Sequence, residues 1–181
     1  MIKPNSVKLR SKLIVALVLI QALFLIGIAI SYYAIGWYGK EIRLQTLPID
    51  PRDLLYGDYV NLNYDINELS TSLWRGPGDV NDLSNNLYVV LKLDELSKNG
   101  TYKAVALYGH KPKIQKDEVV LKGHTNYTGD STIFVKYGLE TYYVPENTGK
   151  ELEQKANLGK LVANVKVASW GRAVIEDIEI P

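Results

Sequence analysis

The sequence predicts a mainly β fold: an N-terminal transmembrane helix followed by a β-sandwich or partly open β-barrel domain with one short helix. Three observations carry that reading. Residues 13–35 contain no charged side chain. Beyond them, short segments alternate apolar and polar residues with period two, the pattern of half-buried strands. Clusters of Gly, Asn, Asp and Pro separate those segments, as turns require.

The apolar run comes first. Its 23 residues make a helix of roughly 35 Å, enough to cross a hydrocarbon core of about 30 Å with some tilt. Only Gln21 and Ser31 are strongly polar within it, whereas a helix buried in a soluble core seldom runs apolar on every face for so long. A cleaved signal peptide is the rival. Its apolar region is shorter and ends at small residues, but here the run ends in Tyr32, Tyr33, Trp37 and Tyr38. Amphipathic rings of that kind suit the headgroup level of a bilayer. The expectation is a retained signal-anchor at 13–35, a basic cytoplasmic segment at 1–12 and an extracytoplasmic domain at 36–181. Orientation follows from Lys3, Lys8, Arg10 and Lys12, which precede the helix with no acidic residue among them. The partner so implied is the lipid bilayer of a cytoplasmic membrane.

Charge and composition exclude some functions. Four of the 21 Lys and Arg residues precede the helix, leaving 17 against 20 Asp and Glu, about −3 for the outer domain. That balance gives no basic footprint for nucleic acid. The chain has no cysteine, so disulfides, thiolate metal sites and a cysteine nucleophile are out. Some 145 residues suffice for one core.

The strands follow in order. Residues 41–47 read as the first, with Ile42 and Leu44 on one side, and end at Pro48-Ile49-Asp50-Pro51-Arg52-Asp53, whose prolines disfavour helix and central strand alike. The clearest strand runs over 59–66, with Val60, Leu62, Tyr64 and Ile66 on one face and Tyr59, Asn61, Asn63 and Asp65 on the other. Residues 67–86 have little periodicity and read as a long exposed loop with at most one helical turn. Further strands are expected at 87–93, 102–108, 118–124 and 132–137, with Asn99-Gly100 as a hairpin turn. A short helix follows Pro145, started by a Thr148/Glu151 capping box. Strands at 161–168 and 173–180, joined by Ser169-Trp170-Gly171-Arg172, close the chain.

Two motifs stand out. Gly57-Asp58-Tyr59, Leu62 and Tyr64 fill the pattern G-D-Y-x-x-L-x-Y, just after Pro48-Ile49-Asp50-Pro51-Arg52-Asp53. A second block is Tyr137-Gly138-Leu139-Glu140-Thr141-Tyr142-Tyr143-Val144-Pro145-Glu146, followed by Thr148-Gly149. The pair, in this order and behind an anchor, resembles the GDYXXLXY family over nearly the whole chain. The resemblance implies a membrane-anchored protein, often encoded beside a multi-spanning membrane protein, and implies no reaction.

Taken as chemistry, the first motif is a corner. Gly57 permits a tight turn, Asp58 bonds its backbone, and Arg52 clamps Asp50, Asp53 or Asp58. The ligand or structural candidates are Asp50, Arg52, Asp53, Gly57, Asp58, Tyr59, Leu62, Tyr64, Tyr137, Glu140, Tyr143 and Glu146. Were an aspartate of the first motif to meet Glu140 or Glu146, the carboxylates would form an acid/base pair or hold a hard cation. No spacing requires this, so no catalytic residue, metal ligand or cofactor is assigned. Serine/lysine signal peptidases also carry a G-D-x-V strand start, but the region upstream of Gly57 holds Thr46-Leu47-Pro48 and Asp50-Pro51 with no nucleophilic serine. His110 and His124 sit beside turn residues and read as surface groups. The sequons at Asn99 and Asn126 are common by chance, and strand packing accounts for most of the tyrosines. Two functions follow: an accessory or binding module for a neighbouring membrane protein or envelope component, or an envelope hydrolase using carboxylates of the two motifs.

Overall fold

The computed structural model describes residues 4–47, 59–78, 86–143 and 161–179. One helix, α1 (Pro4–Tyr38), leads directly into β1 (Lys40–Leu47) with Gly39 alone between them. From Arg10 to Tyr38 the helix is long and apolar enough to cross a membrane, and none of its most apolar window is buried. Phe24, for example, is 68% exposed. The core helix of a soluble protein would be covered there. Only the last turns meet the domain: Ile35 is 3% exposed, and α1 touches the two strands that lie nearest its end.

The strands that follow are β2 (Tyr59–Asn61), β3 (Asn63–Tyr64), β4 (Glu68–Ser70), β5 (Asn86–Leu93), β6 (Tyr102–Tyr108), β7 (Glu118–Thr128), β8 (Thr132–Lys136), β9 (Thr141–Tyr143), β10 (Val162–Val167) and β11 (Ala173–Glu179). They form an open four-stranded sheet in the order β11-β10-β1-β3, an open five-stranded sheet β4-β8-β7-β5-β6, and the pair β2-β9. All named pairings are antiparallel. The mainly β reading with one apolar N-terminal helix is correct, and the sheets are open rather than closed into a barrel.

One apolar core joins the sheets. Ile42, Leu44, Ala163 and Val165 of the first pack with Leu87, Val89, Leu91, Leu121 and Ile133 of the second. Burying each large aliphatic side chain contributes about 1.5–3 kcal/mol. Period-two alternation therefore pins the register of β1, where Ile42, Leu44 and Thr46 are buried and the residues between them are not. Strand β10 differs. Lying between β1 and β11, it is buried at five of six positions, Asn164 among them.

Two expectations change. The single strand foreseen over 59–66 has the burial anticipated, with Val60, Leu62, Tyr64 and Ile66 all in the core. Its hydrogen bonding, however, switches partners: β2 pairs with β9, β3 pairs with the end of β1, and Asp65–Asn67 tightens into a 3-10 turn. Within the stretch 67–86, the described residues 67–78 are less loop-like than expected. Glu68–Ser70 is strand, Thr71–Leu73 a 3-10 turn, and Trp74 bridges to Leu107. Leu69 is buried in the core. A three-residue strand is too short to show a period, so its signal was invisible. Asn99-Gly100 does turn, as the second of two consecutive turns between β5 and β6, with Gly100 N–H donating to Ser97 O at 3.3 Å and Ser97 N–H to Asp94 O at 3.0 Å. The helix foreseen after Pro145 lies outside the described residues.

Candidate functional site

The two motifs meet. Strand β2, which opens on Tyr59, pairs with β9 in the register Tyr59↔Tyr143, Val60↔Tyr142, Asn61↔Thr141. One residue on, Leu62 N–H donates to Glu140 O at 2.8 Å. Here the first chain segment leaves β9 and turns to β1, so the corner between the sheets is built from both motifs at once.

Glu140 organises that corner. Its Oε1 accepts the Tyr137 N–H at 2.6 Å and the Asn67 side-chain amide at 3.2 Å, and its Oε2 accepts the Gly138 N–H at 2.9 Å. Those backbone donors point inward because the chain reverses at Gly138, whose φ is +77°, a conformation that L side chains rarely adopt. Asn67 completes the link. Its Oδ1 accepts Tyr64 N–H at 2.6 Å, and its amide also donates to Val135 O at 2.7 Å.

Two tyrosines cross the same junction in opposite directions. The Tyr64 hydroxyl donates to Leu139 O at 2.8 Å, and the Tyr137 hydroxyl donates to Ile66 O at 2.6 Å. Each segment thus satisfies a buried carbonyl of the other, which would otherwise cost about 1–3 kcal/mol. Burial, reinforced by the negative charge of Glu140, pushes both phenols well above their ordinary range, so they stay protonated donors. Asp65 sits beside them. Burial raises its carboxyl to about 6, with Asp94 adding to the effect and the Ile66 N–H opposing it. Its Oδ1 is buried without a hydrogen-bond partner among the described residues.

An open groove of about 310 Å³ borders the junction, lined by Asn63, Asn67, Glu68, His124, Phe134, Val135, Lys136 and Glu140. Its floor carries an irregularity: the β7/β8 register shifts between His124 and Tyr127. Bulges of this kind re-aim side chains beside sites. The groove offers a carboxylate, an ammonium, an imidazole and an exposed ring, a set suited to holding a small polar ligand or a short segment of another chain. Among the described residues, no three His, Asp or Glu side chains converge as metal ligands.

Of the candidates read from sequence, Leu62, Tyr64, Tyr137 and Glu140 come together here, Tyr59 contributes its strand backbone, and Tyr143 ends β9 with its side chain 77% exposed. Asp50, Arg52, Asp53, Gly57, Asp58 and Glu146 lie outside the described residues. His110 and His124 are exposed, as anticipated. Sequence reasoning missed Asn67, Glu68, Phe134 and Lys136. The one available signal was Asn67 three residues after Tyr64, a spacing at which an Asn side chain bonds local backbone.

A family model described as "GDYXXLXY protein" matches residues 21–178. No curated protein and no solved structure matches the chain.

Proposed function

The chain belongs to the GDYXXLXY protein family, and from that premise we propose that it is a membrane-anchored accessory module without catalytic activity. Its helix stays as a single-pass anchor with the N-terminus in the cytoplasm. Its strand-rich domain stands outside and binds a neighbouring multi-spanning membrane protein or an envelope component through the groove beside the two motifs. The observation that carries this reading is the engagement of Glu140: both carboxylate oxygens already accept hydrogen bonds from the chain's own backbone and from Asn67. A group so held builds a corner. A general acid needs an oxygen free to meet substrate. Burial of Ile35 at the domain end of the helix supports retention of the helix, since cleavage after it would remove a residue that the domain covers.

The test is crosslinking of the full chain in native membranes with a photoreactive group placed at Lys136 or Glu68 in the groove. One specific membrane or envelope partner is the expected product, lost when Phe134 is changed to Glu. Turnover of a cell-wall substrate by the purified protein, abolished by substitution of Asp50, Asp53, Asp58 or Glu146, would favour the envelope-hydrolase alternative instead. A reporter fused after Pro181 should be active only outside the cytoplasm.

A further inference from the structure

The junction between helix and domain also sets where one hairpin must lie. Lys40, two residues past the helix end, pairs with Val167, the last residue of β10. Because the pairing is antiparallel, β10 runs back toward the helix, and its turn into β11 extends past the level of Lys40. Gly39 backs onto β10 so closely that a Cβ there would lie 3.1 Å from the Lys166 Cβ and 3.2 Å from the Val167 nitrogen. The helix end also touches both β10 and β11.

The turn itself is rigid. Gly171 N–H donates to Ala168 O at 2.8 Å, Ala168 N–H to Arg172 O at 2.8 Å, and Lys122 N–H of β7 to Gly171 O at 2.8 Å. Gly171 has φ +94° and is buried. Yet on this stapled turn Trp170 is 42% exposed, and Ser169 and Arg172 are exposed beside it. At the helix end, Trp37 and Tyr38 are also exposed, at 77% and 84%.

We propose that the β10–β11 turn is a second contact with the bilayer, seating Trp170 and Arg172 among the lipid headgroups beside the anchor. This rests on the helix being a membrane anchor. An indole has an apolar body and a polar N–H, and so gains at the boundary of hydrocarbon and water. A guanidinium there meets lipid phosphates bidentately. With the helix joined to β1 through one residue and the turn bolted to β7, two contacts fix the tilt of the domain on the membrane. The motif groove is thereby held in one orientation toward whatever lies beside it.

The chain has no cysteine, so single-cysteine variants report cleanly. Tyr38→Cys, Ser169→Cys and Asp130→Cys would each be labelled with an environment-sensitive fluorophore in the full chain. Each would then be reconstituted into phosphatidylcholine/phosphatidylglycerol vesicles with and without lipids brominated near the headgroup. Asp130 follows β7, whose first residue Glu118 accepts from Lys40 Nζ at 3.5 Å, and so stands about 30 Å along the strand from the helix. Labels at 38 and 169 should emit to the blue and lose intensity with brominated lipid, while the label at 130 does neither. In a Trp170→Ser background the label at 169 should shift toward water-like emission. If 169 behaves like 130 while 38 is quenched, the turn does not touch lipid and the anchor stands. A label at 38 that is also unquenched overturns the anchor reading and this proposal with it, and blue emission at 169 that persists without Trp170 overturns the role of the indole.

Discussion

The Asn67 amide lies 3.2 Å from Glu140 Oε1, and through that pair the 3-10 turn after the first motif is tied to the reversal that opens the second. Asn67 also receives Tyr64 N–H and donates to Val135 O, so removing either partner loosens strands from different sheets. The two motifs of this chain are, in this sense, the halves of one joint.

Glu140 should therefore matter to stability more than its half-buried position suggests. Glu140→Gln keeps one acceptor but sets an NH2 against a backbone N–H, and should cost about 1–2 kcal/mol, with Glu140→Ala costing about 2–3 kcal/mol. Urea titration of the full chain in detergent micelles measures both. Unchanged midpoints would mean that the joint is not held by this carboxylate.

Tyr64→Phe and Tyr137→Phe each leave a carbonyl of the opposite segment without its donor, and each should cost about 1–2 kcal/mol. Because the hydroxyls brace one junction, the double variant should depart from additivity by about 0.5 kcal/mol or more. A double-mutant cycle that sums within error would show the two bonds to be independent.

Asp65 makes stability depend on pH in a stated direction. Its folded carboxyl is raised to about 6, so between about 4 and 6 the native state binds more protons than the unfolded chain, and stability falls as pH rises through that window. Asp65→Asn should gain about 1–2 kcal/mol at pH 7.5, after allowing for partial solvent screening, and little or nothing at pH 4. Denaturation midpoints at the two pH values read the difference; an equal gain at both would assign it to something other than ionisation.

Two glycines should fail for different reasons. At Gly123 of β7 a Cβ would lie 2.4 Å from Val135 Cγ1 and 3.2 Å from the Tyr137 ring, so Gly123→Ala overpacks the core by about 1–3 kcal/mol. Val135→Ala in the same chain should restore part of that loss. At Gly138 nothing lies within 4 Å of an added Cβ, so Gly138→Ala should cost only the left-handed backbone, about 1–2 kcal/mol. No neighbouring truncation should rescue it. Thermal melts of the three variants separate the cases.

Local patterning makes the helix and most strands legible in the sequence. An uncharged run of 23 residues and strict alternation at Val60, Leu62, Tyr64 and Ile66 are properties of the chain alone, because burial of one face imposes period two. The partner switch at Leu62 was not legible. Alternation says which face is buried and nothing about which strand lies alongside. Nor was the role of Glu68–Ser70, since three residues are too few for a period.

The motif residues divide the same way. Tyr64, Tyr137 and Glu140 could be picked out by their pattern and Asn67 by its spacing from Tyr64, whereas Phe134 and Lys136 were found only where the fold brought them to the groove. The sequence by itself determined an apolar N-terminal helix, a β domain, its family and its core faces, since hydrophobic period and turn chemistry act over neighbouring residues. Tertiary structure alone decided that the two motifs, 78 positions apart from Leu62 to Glu140, exchange hydrogen bonds across one corner, and that the Trp170 turn lies beside the helix end. Those contacts depend on strand order and register, which long-range packing selects.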